Sequence, residues 1–301
     1  MPNSVGHFGI QGIASHALFG RVDPRWVMTG CILPDVPWIA QRITGALAPA
    51  ADPYTMRLYF VGQASLLGTV VLCGAVAALA RKPRRIFLLL AFNSLLHLLL
   101  DACQTKWGNG INLFAPLSWE TLNFGLFWPE QWPSYLLTAG GVAYVVWAGR
   151  RKLWAPFDWT ARRWWICVLL IGCYVALPAL WQSSAYAADV HDARVLKEHR
   201  LGEPVAFDRE EVVLEDSKPR LRGWNRELYD GGSALPRRDA TVSVRGTLTA
   251  PDRIRISEIH EHAGASRDYG SVAGLAVLGL ALAIGVVRSR NLEPEATSNN
   301  P

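Results

Sequence analysis

The sequence predicts an all-α polytopic membrane protein, with about five full spans plus short or broken N-terminal helices and a small, mostly β domain inserted before the last span. Three observations predict it. The 301-residue chain is 50% hydrophobic and only 18% charged, against about 25% charge in an average soluble domain. The charge is segregated, since 30 of the 55 charged side chains fall between residues 189 and 270. The 13 Trp sit mostly beside charged or Pro-rich turns rather than inside the longest apolar runs, as amphipathic rings at a membrane interface do.

A crossing helix needs roughly 20 mostly apolar residues, with about 17 as a working minimum. Two N-terminal stretches, 8–20 and 26–40, are short, and the second is interrupted by Asp35 and two prolines, so both read as tilted or broken helices packed within the protein. Residues 58–80 read as a full span. Residues 86–102 are long enough but carry Asn93, His97 and Asp101. Residues 132–149, 164–182 and 271–287 complete the set. Thirteen basic residues, from Arg21 through the Arg81–Arg85 and Arg150–Arg163 stretches to Arg290, lie in the loops on one side, against Arg42, Arg57 and Lys106 on the other. The positive-inside rule then puts the N-terminus and the charged insert outside the cytoplasm.

The insert opens with a polar helical pattern, VHDARVLKEHR. It continues as EVVLED, ATVSVRGTLTA and RIRISEI, whose alternation has the period of strands, with Gly231–Gly232, Pro236 and Pro251 as turns. The predicted domains are therefore a helical membrane domain over 1–182, an extracytoplasmic β-rich domain over 183–270, a transmembrane helix over 271–288 and a disordered cytoplasmic tail over 289–301. None of the five cysteines lies in the insert and no CxxC pair occurs, so no disulfide framework or zinc ribbon is expected. The start MPNSVGHFGI has no basic n-region or cleavage site, and no removable signal peptide is expected. Basic residues cluster at the ends of apolar segments rather than along one face, so the net charge of +5 does not signal nucleic-acid binding.

Ionisable groups inside spans cost about 2.5–3.5 kcal/mol on insertion scales and need a partner or a function. Asn93, His97 and Asp101 recur every four residues, on one helix face. Asp35, between Pro34 and Pro37, and His7, at the outer end of the first segment, fall near the same depth, with Gln63 on the neighbouring helix. His16 lies deeper. Two imidazoles and two carboxylates suit zinc, or a harder ion such as manganese. The same HxxxD spacing also fits an intrahelical His–Asp pair, and Asp35 in LPD also fits a helix cap. The outer segment after Asp101, rich in Trp, Phe, Gly and Pro, would roof the site. Its Lys106 and Glu120 would meet a polar substrate or form solvated ion pairs. His260, Glu261, His262 and Asp268 in the insert read as solvated polar surface.

GHFGIQG, GCILPDVPW and HLLLDACQTKWGNGINLFAPLSW together resemble the membrane-bound metal-dependent hydrolase family, also called LexA-binding, inner-membrane-associated hydrolases. The resemblance covers about residues 5–130. It implies His7, Asp35, His97 and Asp101 as the metal-binding or catalytic set; Gln63 and Asn93 read as supporting polar groups from their placement in the helices alone. Where the family has a Thr-His-Ser tripeptide, this chain has Gln63-Ala64-Ser65. The expected activity is metal-dependent hydrolysis of a lipid or phosphoester at the outer face of an inner membrane. The alternative is a non-catalytic scaffold or partner-binding protein with a structural or degenerate metal site. A transporter would also use broken helices, but the polar groups gather in the outer third and no internal repeat is visible.

Overall fold

Asn3 starts the first helix, α1 (Ser4–Phe19), by accepting the Gly6 N–H on its side chain. Asp23 caps α2 (Pro24–Ile32) in the same way. Pro34, lacking an N–H, ends that helix in a 3-10 turn over Leu33–Asp35, and the chain resumes as the amphipathic α3 (Val36–Leu47). Asp52 caps α4 (Pro53–Gln63) and Ser65 caps α5 (Leu66–Ala78). The remaining helices are α6 (Pro83–Ala102), α7 (Trp132–Arg150), α8 (Trp164–Ala187), the short α9 (Ala193–Lys197) and α10 (Ser266–Thr297). This computed structural model describes residues 3–151, 160–215, 218–224, 226–229, 235–236, 238–264 and 266–297.

The span count differs from the predicted five. Among the described residues three helices are long and apolar enough to cross a membrane: Pro83–Ala102, Ala161–Ala187 and Arg267–Gly285. The predicted 58–80 span is a bent pair, α4 and α5, meeting at 64°, and counting it as one span gives four. The break comes at Ala64–Ser65, where the Ser65 hydroxyl leaves the apolar pattern to accept the Gly68 N–H and donate to the Gly62 carbonyl. The predicted 132–149 span forms a helix, α7, but its Trp, Tyr, Thr and Gly residues keep it less apolar than the three. It packs on α1. A Cβ at Gly141 would stand 1.8 Å from the Val5 carbonyl oxygen, and one at Gly9 2.6 Å from the Gly140 carbonyl carbon, so small residues let the two backbones touch. The core of the bundle gathers Phe8, Val27, Met28, Cys31, Cys73 and Leu90. At the end away from the barrel, Arg85 donates to the Phe19 and Arg21 carbonyls and Arg163 to those of Ala78 and Ala80. The loop arginines thus satisfy helix C-termini where their charge is favoured.

The insert is a closed five-stranded barrel in the order β1-β2-β3-β5-β4, formed by β1 (Pro204–Glu215), β2 (Lys218–Leu221), β3 (Arg226–Tyr229), β4 (Ala240–Ala250) and β5 (Arg253–Glu261). All pairings are antiparallel except β3 with β5. Closure leaves no unpaired edge, and Val205, Phe207, Val212, Leu221, Val244, Leu248 and Ile254 fill the interior. β2 and β3 are four residues each, too short for alternation to register. The predicted Gly231–Gly232 turn lies outside the described residues. α10 continues to Thr297, so most of the 289–301 stretch expected to be a disordered tail is helical, and 298–301 lie outside the described residues.

Candidate metal centre

Three helix segments deliver four side chains to a buried point. His7 comes from the first turns of α1, Asp35 from the 3-10 turn, and His97 and Asp101 from successive turns of α6. His7, His97 and Asp101 are 0–1% exposed. The two imidazoles stack with centroids 3.9 Å apart and planes 7° from parallel. Asp101 Oδ1 lies 3.4 Å from His7 Nε2, Asp101 Oδ2 3.7 Å from His97 Nε2, and Asp35 Oδ1 3.5 Å from His97 Nε2. Sequence reasoning put these four at one depth, and the fold brings them together.

Hydrogen bonding decides how the nitrogens face. His97 Nδ1–H donates to the Cys31 carbonyl at 2.5 Å, leaving Nε2 as a lone pair aimed at two carboxylates. The far side of His7 meets Gln11, whose amide lies 3.0 Å from Nδ1 and whose Oε1 is buried without a partner. A half-turn of that amide lets Oε1 accept Nδ1–H and frees His7 Nε2. His7 Nε2, His97 Nε2, Asp101 Oδ1 and Asp35 Oδ1 are all buried and lack a hydrogen-bond partner. Asp35 also makes no capping bond to α3, although it stands at the capping position, so the turn is not what its carboxylate serves. Orphaned buried polar atoms are costly. The ligand atoms of His7, His97 and Asp101 lie within 4.8 Å of one another and fit a divalent cation, with Asp35 beside His97 at the edge of the group, and each imidazole is held from behind by an acceptor, as metal-bound histidines are.

The supporting polar groups lie elsewhere. Asn93 donates to Ser15 Oγ and the Leu89 carbonyl, pinning α6 to α1 one turn below His97. Gln63 turns away and donates to the Tyr174 carbonyl on α8. His16 sits near the other end of α1, against Tyr144 and Trp147. Ala64, in contrast, lines the hollow of about 10 Å³ beside His97 and Asp101, with Trp38 and Asn112, room for one water or ion. Glu120 is exposed. Lys106 is 8% exposed and its ammonium lies 3.6 Å from Asp101 Oδ2, so its ion pair is buried rather than solvated.

The barrel forms one wall of a wider cleft, of about 360 Å³, that reaches from Asp101 and Lys106 to Asp208, Arg209 and Glu210. A bulge between Phe207 and Glu210 interrupts the β1–β4 register, with Arg209 at φ 55. It turns the DREE run of β1 toward the membrane domain. Gly108 (φ +59) meets β1 so closely that a Cβ would stand 2.0 Å from the Ala206 carbonyl oxygen. Sequence reasoning missed this wall; the signal was DREE, where the alternation of PVAF breaks. Arg42, Arg57 and Arg267 add to its positive charge.

No protein family, curated protein or solved structure matches this chain.

Proposed function

We propose that this chain is an integral-membrane, metal-dependent hydrolase acting at the outer face of an inner membrane on a lipid or other phosphoester. One observation carries the reading: His7, His97 and Asp101 bring buried, unpartnered donor atoms within 4.8 Å of one another, with Asp35 adjoining from the helix break. His7, His97 and Asp101 would hold the ion, zinc or manganese, with Asp35 at its edge, and the ion would supply Lewis-acid polarisation of the scissile ester. The chain's own groups supply the rest. Asp35 keeps 15% of its side chain exposed and is the carboxylate open to accept a proton. Lys106 and the arginines of the cleft face the space an anionic phosphoester would fill. The cleft opens at the barrel end, opposite the arginine-rich loops, which by the positive-inside rule is the extracytoplasmic side. Protein partners of the barrel domain are left open and nucleic acid is not expected.

A second reading is a scaffold with a degenerate site, favoured by Ala64, which lines the hollow where the resembled family carries a histidine. Elemental analysis of purified protein, paired with a phospholipid and phosphoester turnover screen, separates the two. The hydrolase reading expects bound metal, turnover lost in Asp35→Asn and a raised KM in Lys106→Gln. Metal without turnover favours the scaffold, and absence of metal in both wild type and His97→Ala overturns the site itself. A tag near Gly232 that reacts only in permeabilised cells would reverse the orientation.

A further inference from the structure

Glu130, His260 and His262 stand apart from the central site, on the outer surface where the membrane domain meets the barrel. Strand alternation puts His260 and His262 on one face at the end of β5, and the His262 N–H extends the ladder to the Thr241 carbonyl. Glu130 arrives from the loop just before α7. Its Oε1 lies 2.5 Å from His260 Nε2 and its Oε2 3.2 Å from His262 Nδ1. The expectation of solvated surface holds for Glu261 and Asp268 but fails at His262, whose side chain is 1% exposed, beside a Glu130 side chain that is 15% exposed. Trp128 stacks on His260, with centroids 3.8 Å apart and planes 6° from parallel, fixing that ring.

The protons behind His262 can be counted. Ser243 Oγ lies 2.8 Å from His262 Nε2 and 3.0 Å from Asp208 Oδ1, and it accepts the Arg209 N–H at 3.1 Å. A hydroxyl has one proton to give. The Asp208 carboxylate only accepts, so Ser243 donates to it, and His262 Nε2 must carry a proton to donate to Ser243. In a neutral ring Nδ1 is then a lone pair facing the Glu130 oxygen. Two lone pairs opposed in a buried space need a positive charge between them, either a proton that makes the ring an imidazolium or a metal ion. The chain of imidazole, hydroxyl and carboxylate is the outer support that orients a metal-bound histidine.

We infer that Glu130, His260 and His262 form a second divalent-cation site, of the zinc class, that ties the outer loop of the membrane domain to the barrel. Two nitrogens and one oxygen, all within 4.8 Å of one another, match the three-ligand zinc sites that leave a further position open, and His260, at 29% side-chain exposure, leaves that position toward solvent. The site stands or falls separately from the proposed hydrolase centre.

The test uses the full chain in detergent, dialysed against Zn²⁺ alone, with zinc per chain counted in wild type and in His260→Ala/His262→Ala. The pair is repeated in a His97→Ala/Asp101→Ala background. The barrel double variant is expected to lose about one zinc equivalent in either background, whatever the central site does. Equal zinc content with and without the two histidines overturns the inference and leaves an imidazolium–carboxylate clamp. A second measurement needs no variant: at zinc ten times its Kd, diethyl pyrocarbonate modification of His260, mapped by peptide mass, should slow by about tenfold. An unchanged rate overturns the site as well.

Discussion

Gln11→Ala tests the central site from behind. Gln11 is fully buried, and the group it touches in the site is His7 Nδ1, at 3.0 Å. In the ligating tautomer of His7, Nδ1 carries the proton and the Gln11 amide oxygen accepts it. Removing such a second acceptor behind a metal-bound imidazole costs about 10–100-fold in affinity. At 1.36 kcal/mol per tenfold, that is about 1.4–2.7 kcal/mol. Gln11→Glu replaces the amide oxygen with a carboxylate, the stronger acceptor, and is expected to hold zinc at least as tightly as wild type. The assay is zinc competition in detergent against a chromogenic chelator, with circular dichroism as a check that the helices persist. An affinity for Gln11→Ala that equals both wild type and Gln11→Glu would refute the reasoning, since a stacked histidine pair that merely packs the core has no need of that acceptor.

Three other substitutions test the frame. Gly141→Ala inserts a methyl group 1.8 Å from the Val5 carbonyl; thermal unfolding in detergent should show a loss of about 1–3 kcal/mol, with weaker zinc binding as α1 and His7 shift. Ser65→Ala removes the cap of α5, which receives the Gly68 N–H at 3.2 Å, and should cost about 1 kcal/mol in the same assay. Asp192→Asn concerns the junction below the barrel, where burial raises the Asp192 carboxyl to about 6 against the opposing Ala206 N–H bond. A raised carboxyl favours the fold fully below its unfolded value near 3.8 and loses that contribution as pH rises through about 6. Asn keeps the bond from Ala206 and tolerates the left-handed backbone at φ 55, so the variant should gain of order 1 kcal/mol at pH 8, after allowance for partial exposure, and little at pH 4.

The segregation of charge made the two-part architecture legible, because a barrel needs polar outer faces and a bundle in lipid does not. Strand alternation exposed β1, β4 and β5 for the same reason. The break at Pro34–Asp35 was legible from its prolines; what stayed hidden was the break at Ala64–Ser65. The stretch 58–80 carries no charge, and hydropathy averages over the Ser65 hydroxyl at which the chain turns by 64°. The Ser-Leu-Leu-Gly sequence held a capping signal at that point, but a cap inside an apolar run is indistinguishable from a serine satisfied within one helix. α7 shows the converse: its Gly140–Gly141 pair serves close contact with α1, and the Gly, Trp and Tyr residues that allow or flank that contact dilute its hydropathy.

The central residues were legible because charge inside an apolar helix is rare and the spacing of His97 and Asp101 fixes a shared face. Depth counting then gathered His7 and Asp35 from other helices, since 1.5 Å per residue holds wherever the chain is helical. No such ruler reaches across a domain boundary. Glu130 and His260 are 130 residues apart, and their meeting depends on how loop 103–131 folds over the barrel, through Gly108 against Ala206 and Trp128 against His260. Polar residues on a soluble domain carry no desolvation penalty that would single them out. The burial of His262 is therefore created by the docking of two domains, and the chemistry at that junction follows from tertiary contact rather than from any local pattern.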